Sequence, residues 1–202
     1  MVLDPILLDM LRISLLTLFA AGMGTCLFHD FLTFRSMADP ITKSKIASIE
    51  TLHNWIRFAF AGLWVTGLIL IYVRTSFDFA SFSPKLWTKV SLMALMSANA
   101  VLIGLYVLPM LRRNLGRSML EIAPKEMRIA TTIAAASLFG WSSGMMLGAS
   151  TYLKTAPWEV LIPAAVGWFV LCTLGGQVGV MFMRARMQAN DEREDQMTFD
   201  LG

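Results

Sequence analysis

Five long apolar stretches occupy most of this 202-residue chain, and they settle the solvent in which it folds. They run from Pro5 to Phe28, Trp55 to Val73, Leu86 to Met110, Ile129 to Leu153 and Val160 to Met183. Each is close to the ~20 residues that a helix needs to cross a bilayer. In hydrocarbon every backbone N–H and C=O must be satisfied within the protein, which for such segments means helix. The expected fold is all-α: a polytopic membrane protein with an antiparallel bundle of five transmembrane helices over residues 1–187. A loose, polar and acidic cytoplasmic tail is expected over 188–202.

Charged residues make up 15% of the chain, against about 25% in soluble domains. The apolar residues are blocked into runs rather than spread at helical or strand period, as expected of lipid-facing helices. One membrane domain therefore accounts for nearly everything, and no stretch remains for a separate soluble domain. The net charge of +3 does not point to nucleic acid, because the basic residues sit in short inter-helix loops. The opening MVLDPILLDML has no basic region and no small-residue cleavage site, so no signal peptide is expected. Cys26 and Cys172 both fall within spans, without a CxxC pattern, and read as small buried apolar residues.

The loop charges set an orientation. Twelve Lys and Arg residues lie on one side (Arg35, Lys43, Lys45, Arg57, Arg112, Arg113, Arg117, Lys125, Arg128, Arg184, Arg186, Arg193) and five on the other (Arg12, Arg74, Lys85, Lys89, Lys154). The richer side is expected in the cytoplasm of a bacterial inner membrane, with the N-terminus out and the C-terminus in. If span 1, with Asp9 and Arg12 near its outer end, did not cross, four spans would remain and the N-terminus would move inside.

Local signals refine the spans. Asp39-Pro40 reads as a helix start, with Asp as cap and Pro in the first turn. Ile46, Ile49 and Leu52 follow at helical spacing, predicting a helix that runs straight into span 2. Pro124 is expected to open the helix of span 4 in a similar way. The outer loop holds Phe77, Phe79 and Phe82, and Trp55, Trp87 and Trp158 sit at span ends, where aromatic rings favour the headgroup zone.

Span 4 carries Thr132, Ala136, Gly140, Gly144 and Gly148, one small residue every four. Span 5 has Gly175 and Gly179, with Gly167 on nearly the same face. Such faces let backbones approach closely. They serve ordinary packing between helices 4 and 5, a homodimer face, or a groove for a cofactor.

Polar groups inside a span call for a reason. His29 ends span 1 and His53 begins span 2, both near the cytoplasmic face. Imidazole is a frequent axial ligand for haem, so one reading places a b-type haem between these helices, with Arg35 and Arg57 toward its propionates. The other keeps both histidines interfacial and hydrogen-bonded. Lys89 lies one turn inside span 3, where pairing with Asp9 or snorkelling to the interface would lower its cost. Asn99 of span 3 and Gln177 of span 5 are uncharged hydrogen-bonders that join helices or line a path. Fifteen methionines do not make a copper site, for no compact Met-x-Met or His-rich tract is present, and no metal site is expected.

Span 3, from Lys85-Leu-Trp-Thr-Lys89 to Met96-Ser-Ala-Asn99-Ala, resembles a segment of a group of small bacterial integral membrane proteins. These have a lysine at the start of the third helix and a Thr-Gly-Leu pattern in the helix before it, here Thr66-Gly67-Leu68. The group is loosely similar to copper-resistance D-type proteins and to membrane-embedded, haem-binding protoporphyrinogen oxidases. The resemblance covers spans 1 to 3 and matches Lys89 to the family lysine. Those oxidases carry a haem histidine early in the first helix, where this chain has Arg12. The resemblance thus implies an antiparallel bundle able to host a macrocycle, not the oxidase activity.

Three functions follow as expectations. The first is an accessory inner-membrane protein holding haem b through His29 and His53. The second is a small transporter or channel lined by Asp9, Lys89, Asn99 and Gln177. The third is a structural subunit, either a homo-oligomer or part of a membrane complex, docking through the glycine face of span 4. No catalytic motif is present.

Overall fold

The computed structural model describes residues 5–200, at 154, 191, 194, 195 and 197–200 by backbone alone. Five long helices follow one another: α1 (Pro5–Arg35), α2 (Lys43–Thr75), α3 (Pro84–Arg113), α4 (Pro124–Ala149) and α5 (Trp158–Asp200). No strand occurs among the described residues. Four of the helices, α1, α2, α3 and α5, are long and apolar enough to cross a membrane, which is the construction of a multi-pass membrane protein.

The helix of span 4, α4, is not among those four. Its apolar run is diluted by Thr131, Thr132, Ser137, Ser142, Ser143 and its glycines. Its position explains the dilution. It packs against α3 and α5 and touches α1. A helix lined by protein needs close approach more than an apolar surface.

Helix ends depart from the expectations in two places. Asp39 and Pro40 do not start α2; Thr42 does, its hydroxyl accepting from Lys45 N–H at 3.1 Å. The residues before it are held elsewhere. Ile41 N–H donates to the Arg117 carbonyl (2.8 Å), Gly116 N–H donates to the Ile41 carbonyl (2.9 Å), and Pro40 bridges Ser118. The helix of span 4 stops at Ala149 instead of reaching Leu153, because Ser150 turns the chain and its hydroxyl accepts from Leu153 N–H. Pro124 does open α4. At the other end of the chain the polar stretch from 188 is not loose but continues α5 as helix to Asp200; residues 1–4 and the last two of the expected tail lie outside the described residues.

Within α3 one turn widens to a π-turn over Ile103–Val107. Pro109 has no N–H for the Leu105 carbonyl, and its ring crowds that carbonyl; a wider turn just before it relieves the clash.

The middle of the bundle is organised by Trp141 of α4, 1% exposed. Its ring meets Phe19 of α1 and Phe60 of α2 at centroid distances of 5.3 and 5.5 Å. On α1 only glycine fits beneath it: a Cβ on Gly22 would lie 2.5 Å from the indole. A second apolar core, containing Ile41, Met110, Leu120 and Ile122, fills the end where the basic loops lie. Large apolar side chains such as Ile13, Leu16, Phe58, Leu105, Val178 and Met181 stay exposed on the flanks.

Candidate functional site

Most of the polar groups singled out above are spread over the bundle. Asp9 does not pair with Lys89; it bonds Arg12 one turn on (2.9 Å), both exposed, and Lys89 is exposed as well. Arg12 is thus occupied by its own helix. Asn99 is buried, and its amide donates to the Ile133 carbonyl (3.2 Å), tying α3 to α4. The Gln177 amide donates to the Arg128 carbonyl (3.0 Å) and the Thr132 hydroxyl (3.2 Å), tying α5 to α4. Asn99 lines an internal cavity, whereas Gln177 lines a groove on the flank.

The two histidines have different surroundings. His29 is half-buried, its Nδ1 3.2 Å from the Thr33 hydroxyl on its own helix. His53 faces the interior with Nε2 against the π-turn, 3.3 Å from where a Cβ on Gly104 would stand. Arg35 and Arg57 are exposed. Between α1 and α2 the packing is close, since a Cβ on Gly62 would lie 2.7 Å from Leu18. Among the described residues no group of three or more His, Cys, Asp or Glu side chains could hold a metal ion.

The glycine faces work differently from a simple zipper between α4 and α5. Gly140 admits Met96 of α3, and Gly144 admits Phe19 of α1; a Cβ would lie 2.5 and 2.8 Å from them. Gly176, not Gly175, meets α4 at Thr131, and Gly179 faces Phe34 of α1. Among the described residues no atom beyond the local helix backbone and chain neighbours lies within 4 Å of a Cβ at Gly148, Gly167 or Gly175.

What the structure does bring together is a polar centre that is hard to see in the sequence. Cys26 of α1, 3% exposed, has Sγ 3.4 Å from the Ser137 hydroxyl of α4 and donates to Asp30 Oδ2 at 3.7 Å. Ser137 also lines a cavity of about 20 Å3 with His53, Asn99, Met96, Phe60 and Trp141. That volume suits one water molecule, and the polar lining gives it partners. An acid, a thiol, a hydroxyl and an imidazole thus follow one another across α1, α4 and α2. Cys26 and Asp30 share a helix face at i, i+4, which the sequence carries; their meeting with Ser137, 111 residues away from Cys26, it does not.

The second feature is a groove of about 520 Å3 between α4 and α5, lined by Arg128, Thr132, Gln177, Met181 and Arg184 among others. In the sequence its two arginines, Arg128 and Arg184, stand out only as loop charges.

No family model, curated protein or solved structure matches this chain.

Proposed function

We propose that this chain is an accessory integral protein of the bacterial inner membrane that acts through its lipid-facing surface, not through a conduit inside the bundle. All five long helices cross, α4 at the centre, with the N-terminus out and the basic loops in the cytoplasm. The observation that carries the reading is the contrast in openings. A cavity within the core is about 20 Å3, whereas a groove on the flank is about 520 Å3. The groups that a path would need support the same view: Asp9 and Lys89 are exposed, and Asn99 and Gln177 are each used to join two helices.

Flux through vesicles tests this. Protein reconstituted into liposomes should leak protons and monovalent ions no faster than empty vesicles, read with a pH dye under an imposed gradient. Flux that disappears in Asn99→Ala or Lys89→Ala would overturn the reading in favour of transport. A reduced-minus-oxidised spectrum of protein grown with haem is the companion measurement. A Soret band abolished by His53→Ala would replace the surface reading with haem b held by His29 and His53.

A further inference from the structure

We propose that the groove between α4 and α5 binds one anionic phospholipid of the adjoining leaflet, its phosphate toward Arg184 and Arg128 and its chains along Met127, Val180 and Met181. The groove lies where α4 begins and where the apolar part of α5 gives way to Arg184, so it sits at the basic end of the bundle. Its volume falls within the ~300–1,000 Å3 usual for ligand pockets.

Charge selects the occupant's head. Among the described residues two guanidinium groups line the groove and no carboxylate does. Neither arginine joins an ion pair among the described residues, although Arg112 and Arg113 at the same end do. Arg184 Nη2 is committed to the Ile122 carbonyl at 2.6 Å, which fixes the side chain in place. Among the described residues its Nε is nevertheless buried without a hydrogen-bond partner. A buried donor of this kind is costly unless an acceptor reaches it, and a phosphate oxygen is the strongest acceptor a membrane offers.

Shape selects a lipid over a free anion. Among the described residues the other buried side-chain N or O atom without a partner is Thr173 Oγ1, and Thr173 lines the same groove. Thr173 and Arg184 are eleven positions apart on α5, roughly 16 Å along a helix. A lone phosphate at Arg184 leaves the apolar walls at Met127, Val180 and Met181 uncovered, whereas the chains of an extended amphiphile cover them and run on past Thr173. The open side is lipid-facing: Met181 is 70% exposed, and its neighbours Val178 and Phe182 are exposed too. Basic pockets between transmembrane helices suit anionic headgroups on this ground.

The inference deepens the surface-acting reading but does not need a sealed interior. Flux through the bundle would overturn that reading and leave this one standing; loss of lipid selectivity would do the reverse.

Native mass spectrometry of the full chain, released from detergent with phosphatidylglycerol or phosphatidylcholine of the same acyl chains, gives the test. The wild type should retain phosphatidylglycerol in preference to phosphatidylcholine. Each arginine near a membrane surface contributes about fivefold in affinity for anionic lipid, so Arg184→Gln should lower retention by about that factor or more. Because Arg184 also holds Ile122, Arg128→Glu is the second variant. Its side chain is exposed and touches no structural bond, and the reversed charge should abolish the preference while the melting temperature holds. Equal retention of the two lipids, or an Arg128→Glu protein that still selects phosphatidylglycerol, would overturn the proposal. Displacement of the lipid by millimolar inorganic phosphate would assign the groove to the free anion instead. A lipid-free dimer disrupted by Met181→Glu would assign it to a second copy.

Discussion

At the end of the bundle where the basic residues gather, the loops 36–42 and 114–123 are tied to each other; at the opposite end, the loops 76–83 and 150–157 fold back on themselves. The first pair exchanges backbone hydrogen bonds between Ile41 and Gly116–Arg117 and between Met37 and Met119. Ion pairs Arg112–Glu50 and Arg113–Glu126 then join α3 to α2 and to α4. The second pair satisfies its backbone within single turns, such as Asp78 N–H to Thr75 O and Thr155 N–H to Tyr152 O. Its side chains stack locally instead, Phe79 and Phe82 on Trp87. The same requirement, that loop amides find partners, is met by long-range pairing at one end and by local turns at the other. The basic end therefore fixes how the helices are spaced, and the proposed lipid groove is built on it. The aromatic end suits a headgroup layer.

The comparison breaks most sharply at single side chains. Ile41 is 1% exposed in the end core, and Phe79 is 65% exposed at the far end. Ile41→Ala should cost about 2–5 kcal/mol, as buried aliphatic truncations do. Phe79→Ala should stay within about 0.5 kcal/mol. Denaturant unfolding in micelles measures both. Similar losses for the two would show that the ends are equally interlocked.

How much of this was legible in the sequence depends on the range of the contacts. The all-α bundle is written in uninterrupted apolar runs, and the helix into span 2 in the spacing of Ile46 and Ile49. The end core is not, because Ile41, Met119 and Ile122 stand in short loops where no periodicity marks them as buried. Their burial comes from a pairing between distant segments, as the bridge from Pro40 to Ser118, 78 positions apart, shows. The candidate sites divide in the same way. His53 and Asn99 are conspicuous as polar residues in apolar spans, but that they share a cavity with Ser137 depends on helix rotation. Arg128 and Arg184 look like the other loop cations until the fold places both on one groove.

A smaller effect separates two glycines. Gly116 adopts φ +84° in the tied loop, a conformation that favours glycine, whereas a Cβ on Gly148, in the last turn of α4, meets nothing within 4 Å. Gly116→Ala should destabilise by about 1–2 kcal/mol through left-handed strain. Gly148→Ala should be neutral or stabilise by up to about 1 kcal/mol through helix propensity. Thermal melts in one detergent decide the sign. A neutral Gly116→Ala would mean that the loop can relax, and that the basic end is less constrained than its hydrogen bonds imply.

The smallest effect concerns the ion pairs. Arg112 reaches Glu50 from α3 to α2, with side chains 60% and 36% exposed. At that exposure an ion pair contributes about 0–1 kcal/mol, and salt screens it. Glu50→Gln should therefore lower stability only slightly, and the difference from wild type should fade between low and high salt. If the loss were larger and insensitive to salt, the pair would be part of what spaces α2 from α3, and the rigidity of the basic end would rest on charge. A small, screened loss leaves that rigidity with the loop amides and with Ile41, Met110 and Ile122, whose burial does not depend on ionic strength.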